Sequence, residues 1–171
     1  MPPHVVLVGP PGSGKSTTAR LVAARLGLAA RDTDDDVERM AGTTISDIFV
    51  DRGEEVFREL ERDATALAID EHDGVLALGG GAVLDPATRE RLQGLTVVFL
   101  DVGIKDAASR IGFNRDRPLL LGNPRAQWIR LMEARRVLYD EVATVRVDTA
   151  GKSADDVADE IVLLTQAPTT T

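Results

Sequence analysis

The chain has 171 residues, a length that suits one domain with a buried core, and its 43% hydrophobic and 28% charged residues are typical of a soluble globular protein. Its net charge of −8 argues against nucleic acid or an anionic membrane as the main partner, because both select basic surfaces. The absence of cysteine excludes disulfides, thiolate catalysis and thiolate metal sites.

The first predicted strand covers residues 4–8, a short and largely β-branched run that ends at Gly9. Its apolar part, Val5 to Val8, is too short for a secretory signal or a membrane span. We therefore expect a cytoplasmic protein without a membrane partner.

Residues 9–16 read GPPGSGKS and match the phosphate-binding pattern G-x-x-x-x-G-K-[ST] at every fixed position. A strand precedes them, and a helix is predicted from Lys15 until Gly27 stops it. Backbone N–H groups at such a helix start bind phosphate, Lys15 supplies a cation to the terminal phosphates, and Ser16 supplies a hydroxyl to Mg²⁺. The alternative, a turn that only caps a helix, is disfavoured because pattern and context agree. The residues expected in this nucleotide site are Gly12, Ser13, Gly14, Lys15, Ser16 and Thr17.

A weak strand candidate at 28–31 leads into the acidic run RDTDDD. Asp32 and Asp34 are two residues apart, and in an extended or turning segment such side chains point the same way. One carboxylate could then hold Mg²⁺, directly or through water, while the other accepts a proton from an attacking hydroxyl. Asp35 and Asp36 are expected at the start of the next helix, where the helix dipole favours negative charge.

Helices and strands alternate along the rest of the chain. The predicted strands are continuous apolar runs at 75–78, 96–101 and 144–148. Such alternation predicts a parallel sheet covered on both faces, a three-layer α/β/α sandwich in a single domain over residues 1–171. A ligand should bind beyond the carboxyl ends of its strands. The helices are predicted at 35–41, 45–52, 54–71, 85–93, 104–111, 125–141 and after Ser153.

Two irregular segments attract functional interpretations. Gly79, Gly80 and Gly81 follow a buried strand, and three glycines there permit close approach of a ligand, which we favour over a flexible turn. Residues 112–124 contain three consecutive leucines, which favours a mobile lid that packs when closed. A proline-containing surface turn is the alternative for this second segment.

In their order and spacing, these motifs resemble those of the shikimate kinase family, from Val5 to Leu164. The resemblance implies a P-loop kinase of the nucleoside-monophosphate-kinase-like fold, with a five-stranded parallel sheet in the order 2-3-1-4-5. It also implies transfer of the γ-phosphoryl group of ATP to the 3-hydroxyl of shikimate, in aromatic amino acid biosynthesis, with Mg²⁺ as cofactor. The motifs are GPPGSGKST at 9–17, DTD at 32–34, ISDIF at 45–49, GEEVFRELE at 53–61, LGGGAV at 78–83, RPLL at 117–120 and R-x-x-L-Y at 135–139.

On the nucleotide side, the resemblance implies that Asp34 holds the shikimate hydroxyls and acts as the base. Asp32 would contact Mg²⁺ through water, and Arg117 would join Lys15 in stabilising the charge of the transferring phosphoryl group. The residues that would border the adenine are Arg110, Lys152 and Ser153.

On the shikimate side, the resemblance implies that arginines bind the carboxylate, for which the planar guanidinium group is suited. By spacing alone, Arg58 forms a surface ion pair with Glu54 or Glu61. The resemblance instead makes Arg58 a carboxylate ligand that Glu61 orients. The other residues that would contact shikimate or shape its site are Phe49, Phe57, Gly79, Gly80 and Gly81.

The second arginine of the family stands four residues before a tyrosine. With Tyr139 as that tyrosine, it is Arg135, and Arg136 is a weaker candidate because Val137 replaces the usual proline. The apolar residues of the same helix are expected in the core rather than at a ligand; they are Trp128, Leu131, Met132 and Leu138.

Three other interpretations stay open at this point. Gluconate kinases and nucleotide kinases share the scaffold, although paired arginines fit a hydroxylated ring carboxylate better. A GTPase-type switch usually carries an N-K-x-D motif, which the sequence lacks. An inactive, purely structural relative is disfavoured because the charged and polar residues of the predicted site are intact. They are Lys15, Ser16, Asp34, Arg58, Arg117 and Arg135. No long apolar surface stripe is evident, so we expect a monomer whose partners are ATP and shikimate.

Overall fold

The computed structural model describes residues 2–111 and 123–166. Strands and helices alternate along these ranges, as predicted. The strands are β1 (Val5–Val8), β2 (Ala30–Asp32), β3 (Val75–Ala77), β4 (Val97–Asp101) and β5 (Val145–Asp148). The helices are α1 (Lys15–Leu26), α2 (Thr33–Ala41), α3 (Ile45–Glu71), α4 (Pro86–Leu92), α5 (Ile104–Ile111), α6 (Pro124–Val142) and α7 (Ala154–Gln166).

The five strands form one parallel sheet in the order β2-β3-β1-β4-β5, which confirms the predicted order. In its centre, Val6 of β1 lies between Leu76 of β3 and Val97 of β4. Successive side chains of a strand face opposite sides of the sheet, so the apolar runs feed two cores. One core packs against α3 to α6 and the other against α1 and α7, which confirms the three-layer sandwich. Within the described ranges, no helix has the length and hydropathy needed to cross a bilayer.

The start of α2 differs from the prediction. The sequence predicts a start near residue 35, but α2 begins at Thr33 because the side chain of Asp32 accepts a hydrogen bond from the backbone N–H of Asp34 at 2.8 Å. An N-cap aspartate of this kind satisfies a free N–H group and starts a helix. Asp34 therefore lies in the first turn of α2 and not in an extended segment.

The break predicted between residues 52 and 54 is present inside α3. Gly53 adopts φ 87° and ψ 169°, so the helix changes direction there. A separate apolar cluster of Val37, Ile48, Phe57 and Ala64 holds α2 against both parts of α3. This cluster fixes the position of the part of α3 that carries Arg58.

Residues 112–122 and Arg117 within them lie outside the described residues, so most of the predicted lid at 112–124 is not described. The chain resumes at Asn123, whose side chain accepts a hydrogen bond from the N–H of Ala126 at 3.2 Å and caps α6.

Candidate active site

The phosphate-binding loop leaves the carboxyl end of β1 and turns into α1. Gly12 adopts φ 82°, and a Cβ atom there would lie 3.0 Å from the backbone of Ala107, so only glycine fits. The ammonium group of Lys15 donates to the carbonyls of Gly9 at 2.7 Å and Pro10 at 3.1 Å. These two hydrogen bonds hold the ammonium group against the backbone of the loop.

A cleft of about 280 Å³ opens above this loop. Its walls combine the loop and the start of α1, up to Thr17, with Asp32, Asp34, Gly80 and Arg110. The guanidinium group of Arg110 donates to the carbonyl of Gly12 at 3.2 Å. The cleft thus brings together a phosphate-binding loop, two cations and two carboxylates.

The two predicted aspartates both line this cleft. Asp32 ends β2 and accepts a hydrogen bond from the hydroxyl of Ser16, while Asp34 enters the cleft from the first turn of α2. Of the two predicted geometries, the turn and not the extended segment places the two carboxylates at one site. Between them, the buried hydroxyl of Thr33 accepts a hydrogen bond from the N–H of Gly79 at 3.0 Å.

Beyond the cleft lies a second group of charges, which we call the arginine cluster: Arg58, Glu61 and Arg135. Arg58 donates to the carboxylate of Glu61 at 2.8 Å, and Glu61 is only 4% exposed. The Arg58 guanidinium lies 5.1 Å from the centre of the Phe57 ring, which packs on Phe49 with ring centres 4.7 Å apart. Arg58 is therefore not the surface ion pair that its spacing predicts.

The glycine loop, Gly79 to Gly81, is packed too tightly for side chains. A Cβ atom on Gly79 would lie 2.6 Å from Asp34 Oδ1 and 2.8 Å from Glu61 Oε2, and one on Gly81 would clash with the guanidinium of Arg58. The missing side chains let Asp34, Glu61 and Arg58 approach the same stretch of backbone. The loop thereby joins the cleft to the arginine cluster.

The structure separates Arg135 from Arg136. Arg135 is 6% exposed and lies on the buried face of α6, where its charge opposes the rise that burial causes in the pKa of Glu61. Arg136 points away and binds both carboxylate oxygens of Asp101, at 2.9 and 3.2 Å. Arg135 therefore belongs to the cluster, while Arg136 is engaged elsewhere.

Burial raises the pKa of Glu61, and the charges of Arg58, Arg135 and Lys15 oppose that rise. Lys15 of the cleft therefore lies within electrostatic range of Glu61 in the arginine cluster. Two arginines that converge on a buried loop are suited to a small carboxylate.

Two of the predicted adenine contacts, Lys152 and Ser153, have protein partners in the structure. Lys152 forms an ion pair with Glu160 at 2.8 Å, and the hydroxyl of Ser153 caps α7 by accepting from the N–H of Asp156 at 3.0 Å. Both residues lie just before α7, and their part in nucleotide binding stays a prediction.

Two residues of α6 have contacts that sequence reasoning missed. Trp128 is buried, as predicted for a core residue, but its indole N–H also donates to the carbonyl of Pro11 at 3.0 Å. In the sequence, Tyr139 only marks the position of Arg135, four residues before it. In the structure its hydroxyl also donates to the carbonyl of Gly80 at 2.6 Å. A polar atom on a buried aromatic side chain usually has a partner, and this was the available signal.

Comparison with known proteins gives consistent results. The family model for shikimate kinase matches residues 11–166. A shikimate kinase of Streptomyces avermitilis is 57% identical over 159 residues, which cover 93% of each chain. One of Streptomyces coelicolor is 54% identical over 155 residues, which cover 91% of each chain. The solved structure of shikimate kinase from Acinetobacter baumannii in complex with shikimate matches with a TM-score of 0.94 and 35% identity, over 100% of this chain and 96% of that one.

Proposed function

The chain belongs to the shikimate kinase family and is an ATP-dependent kinase of shikimate, and we propose that Asp34 is the base of its reaction. The observation that carries this proposal is the position of Asp34, which lines the phosphate cleft and also lies against Gly79 beside Glu61. A hydroxyl held there would face a phosphate on one side and the carboxylate on the other. As its oxygen attacks the γ-phosphorus and ADP leaves, its proton passes to Asp34.

The nucleotide side supplies positive charge to the transferred group. The backbone of residues 9–16 and the start of α1 bind the phosphates. Lys15, which donates to the carbonyls of Gly9 and Pro10, has the reach to bind the terminal phosphates. Arg117, which lies outside the described residues, is assigned a similar role from the family resemblance. Its replacement by alanine should reduce turnover far more than shikimate binding.

Magnesium is the proposed cofactor, with Ser16 and Asp32 at its site. Their oxygen atoms are hydrogen-bonded to each other at the edge of the cleft and are of the type that Mg²⁺ prefers. In residues 2–111 and 123–166, no three His, Asp or Glu side chains are grouped to hold a metal. The proposed ion would therefore take most of its ligands from water and the nucleotide, whose phosphate charge it would neutralise.

The arginine cluster is the proposed site of the shikimate carboxylate. Arg58 and Arg135 would donate to it, and Glu61 would fix the orientation of Arg58. The glycine loop would contact the ring hydroxyls through Gly80. Phe49 and Phe57 would border the ring, since they stack beside Arg58.

We also propose that the protein acts in the cytoplasm as a monomer, with neither nucleic acid nor membrane as a partner. Its net charge of −8 disfavours anionic macromolecules. Light scattering after gel filtration should give a mass near the 18.3 kDa of one chain, and a mass near twice that value would contradict the monomer.

A coupled ADP-release assay with ATP and Mg²⁺ tests the proposed function. ADP should appear with shikimate and stay at background with gluconate or with no acceptor. Asp34→Asn should lower kcat by about 10²- to 10⁴-fold, the usual contribution of a positioned base, while the Kd for ADP changes by less than about threefold. Release that ignores shikimate, or tight GTP binding without acceptor-dependent turnover, would contradict the proposal.

A further inference from the structure

One face of α6 is buried along its whole length. It carries Trp128, Met132, Arg135 and Tyr139, which are 3%, 4%, 6% and 0% exposed. Their spacing of three or four residues places them on a single side of the helix. This face borders both the phosphate-binding loop and the glycine loop.

The first contact of this face is with the phosphate-binding loop. The indole N–H of Trp128 donates to the carbonyl of Pro11 at 3.0 Å, across 117 positions of sequence. Pro11 has no N–H of its own and lies between Gly9, whose carbonyl holds Lys15, and Gly12. Trp128 is therefore connected to the part of the loop that positions the ammonium group.

The second contact is with the glycine loop. The hydroxyl of Tyr139 donates to the carbonyl of Gly80 at 2.6 Å, and the ring packs on Phe99 with centres 5.1 Å apart. Burial raises the pKa of the Tyr139 phenol to about 12, so it keeps the proton that it donates. The direction of this hydrogen bond therefore does not change at neutral pH.

The two loops also touch each other. A Cβ atom on Gly80 would lie 3.1 Å from Cδ of Pro11, so the glycine backbone packs directly on the proline ring. The contacts form a closed circuit, from Trp128 to Pro11, to Gly80, to Tyr139 and back along α6. Displacing any one of these groups would move the phosphate-binding loop relative to the glycine loop.

We propose that Trp128 and Tyr139 are positioning residues that hold these two loops in register, so that Asp34 faces the attacking hydroxyl while Lys15 faces the phosphoryl group that it attacks. The inference rests on the proposed function, because it concerns the alignment of the two substrates. Each loop can still bind its own ligand when the circuit is broken. Alignment of donor and acceptor is what is lost, and a displacement of about 1 Å can reduce rate by about 10²-fold.

The test uses Trp128→Phe, Tyr139→Phe and the double variant, because phenylalanine keeps an aromatic ring and lacks the hydrogen-bond donor. Tyr139→Phe removes only the hydroxyl, whereas Trp128→Phe also makes the ring system smaller. Each single variant should lower kcat by about 10- to 100-fold. The Kd of ADP, measured by calorimetry, should change by less than about threefold in each variant, with one site per chain, and so should the Kd of shikimate in Trp128→Phe. Tyr139 also hydrogen-bonds with Arg135, so the Kd of ADP and the number of sites are the readouts for Tyr139→Phe. A merely structural loss would instead reduce the number of sites.

The double variant shows whether the two residues act through one circuit. It should be no more than about twofold slower than the slower single variant, whereas independent effects would multiply. Thr144→Val is the matched control, since its hydroxyl donates to and its oxygen accepts from the backbone of Val97, away from both loops. Its kcat should equal that of the wild type.

Wild-type turnover in single variants, or multiplicative loss in the double variant, would overturn the inference while leaving the proposed function intact. Failure of the wild type to phosphorylate shikimate would instead overturn the proposed function. Trp128 is the only tryptophan of the chain, so the wild type provides one further test. Its emission should change when ADP binds, and unchanged emission would contradict the contact with the phosphate-binding loop.

Discussion

The phosphate-binding loop and the arginine cluster have opposite designs. The loop is contiguous, residues 9–16, and its proposed phosphate ligands are backbone N–H groups at the start of α1. The arginine cluster draws Arg58 and Glu61 from α3 and Arg135 from α6, which are far apart in sequence. Because the first depends on local conformation and the second on burial, a sequence pattern describes the first better than the second.

Glu61 illustrates this difference. As residue i+3 from Arg58 on a helix, it is typical of a solvated ion pair that contributes little. In the structure it is 4% exposed and lies against the glycine loop. Its role follows from what packs over it and not from its spacing.

Of the substitutions that compare these two regions, the largest effect is expected in the phosphate-binding loop. Lys15→Ala removes the cation that faces the transferred phosphoryl group and should lower kcat by about 10²- to 10³-fold, as loss of one transition-state donor usually does. Calorimetry should find shikimate binding within about threefold of the wild type, because the arginine cluster is untouched. The exposed Lys105 provides the control, and Lys105→Ala should retain full activity. Weakening of shikimate binding equal to the loss of turnover would show that the two regions are not separable.

The next effect concerns the arginine cluster. Arg135→Met should raise the KM for shikimate by about 30-fold or more, since truncating one partner of a buried charge pair costs about 2–5 kcal/mol. Arg136→Met is a sharp control on the neighbouring residue, because Arg136 binds Asp101 instead. Its KM should rise less than about threefold. Equal effects of the two substitutions would contradict the assignment of Arg135.

A smaller effect should separate orientation from binding. Glu61→Gln weakens the hold on Arg58 and should raise the KM for shikimate by about 10-fold, in line with about 1.5–3 kcal/mol for a hydrogen bond to a charged group. The exposed Glu54 also approaches Arg58, at 3.5 Å, and supplies the matched variant. Glu54→Gln should change KM less than about twofold. If both variants behaved alike, burial would not be what distinguishes Glu61.

The smallest effect is on stability. Burial raises the pKa of Glu61 above its ordinary value of 4.5, so the folded chain binds this proton more tightly than the unfolded chain does. That contribution to the free energy of unfolding is present below the ordinary pKa and is lost as pH rises through the raised pKa. Glutamine never ionises, so urea unfolding should show Glu61→Gln gaining stability relative to the wild type as pH rises from the ordinary pKa of 4.5 towards the raised pKa. An unchanged or reversed difference would show that the arginines fully compensate the burial of this charge.

Much of the fold was predictable because its signals are local. The strand before Gly9 and the Asp85-Pro86 start of α4 follow from residues adjacent in sequence. The start of α2 was misplaced because the side chain of Asp32 acts as its cap, a hydrogen bond that composition does not reveal. The strand order came from a family resemblance and is confirmed.

The site was predictable in part. Lys15 and Ser16 follow from the phosphate-binding motif. Asp32 and Asp34 follow from the acidic run after the next predicted strand. The contacts of Trp128 with Pro11 and of Tyr139 with Gly80 depend on how α6 packs over two loops. The spacing of residues within α6 does not indicate which loops its buried face contacts, because those contacts depend on the tertiary packing.

In the proposed mechanism, Asp34 faces both the phosphate cleft and the shikimate site. Arg58 and Arg135 bind the carboxylate at the opposite end of shikimate. A crystal structure of the protein with shikimate, ADP and Mg²⁺ tests this most directly. We predict the shikimate carboxylate between Arg58 and Arg135, and its 3-hydroxyl about 3 Å from a carboxylate oxygen of Asp34. Shikimate bound away from Asp34, Arg58 and Gly80 would contradict the account.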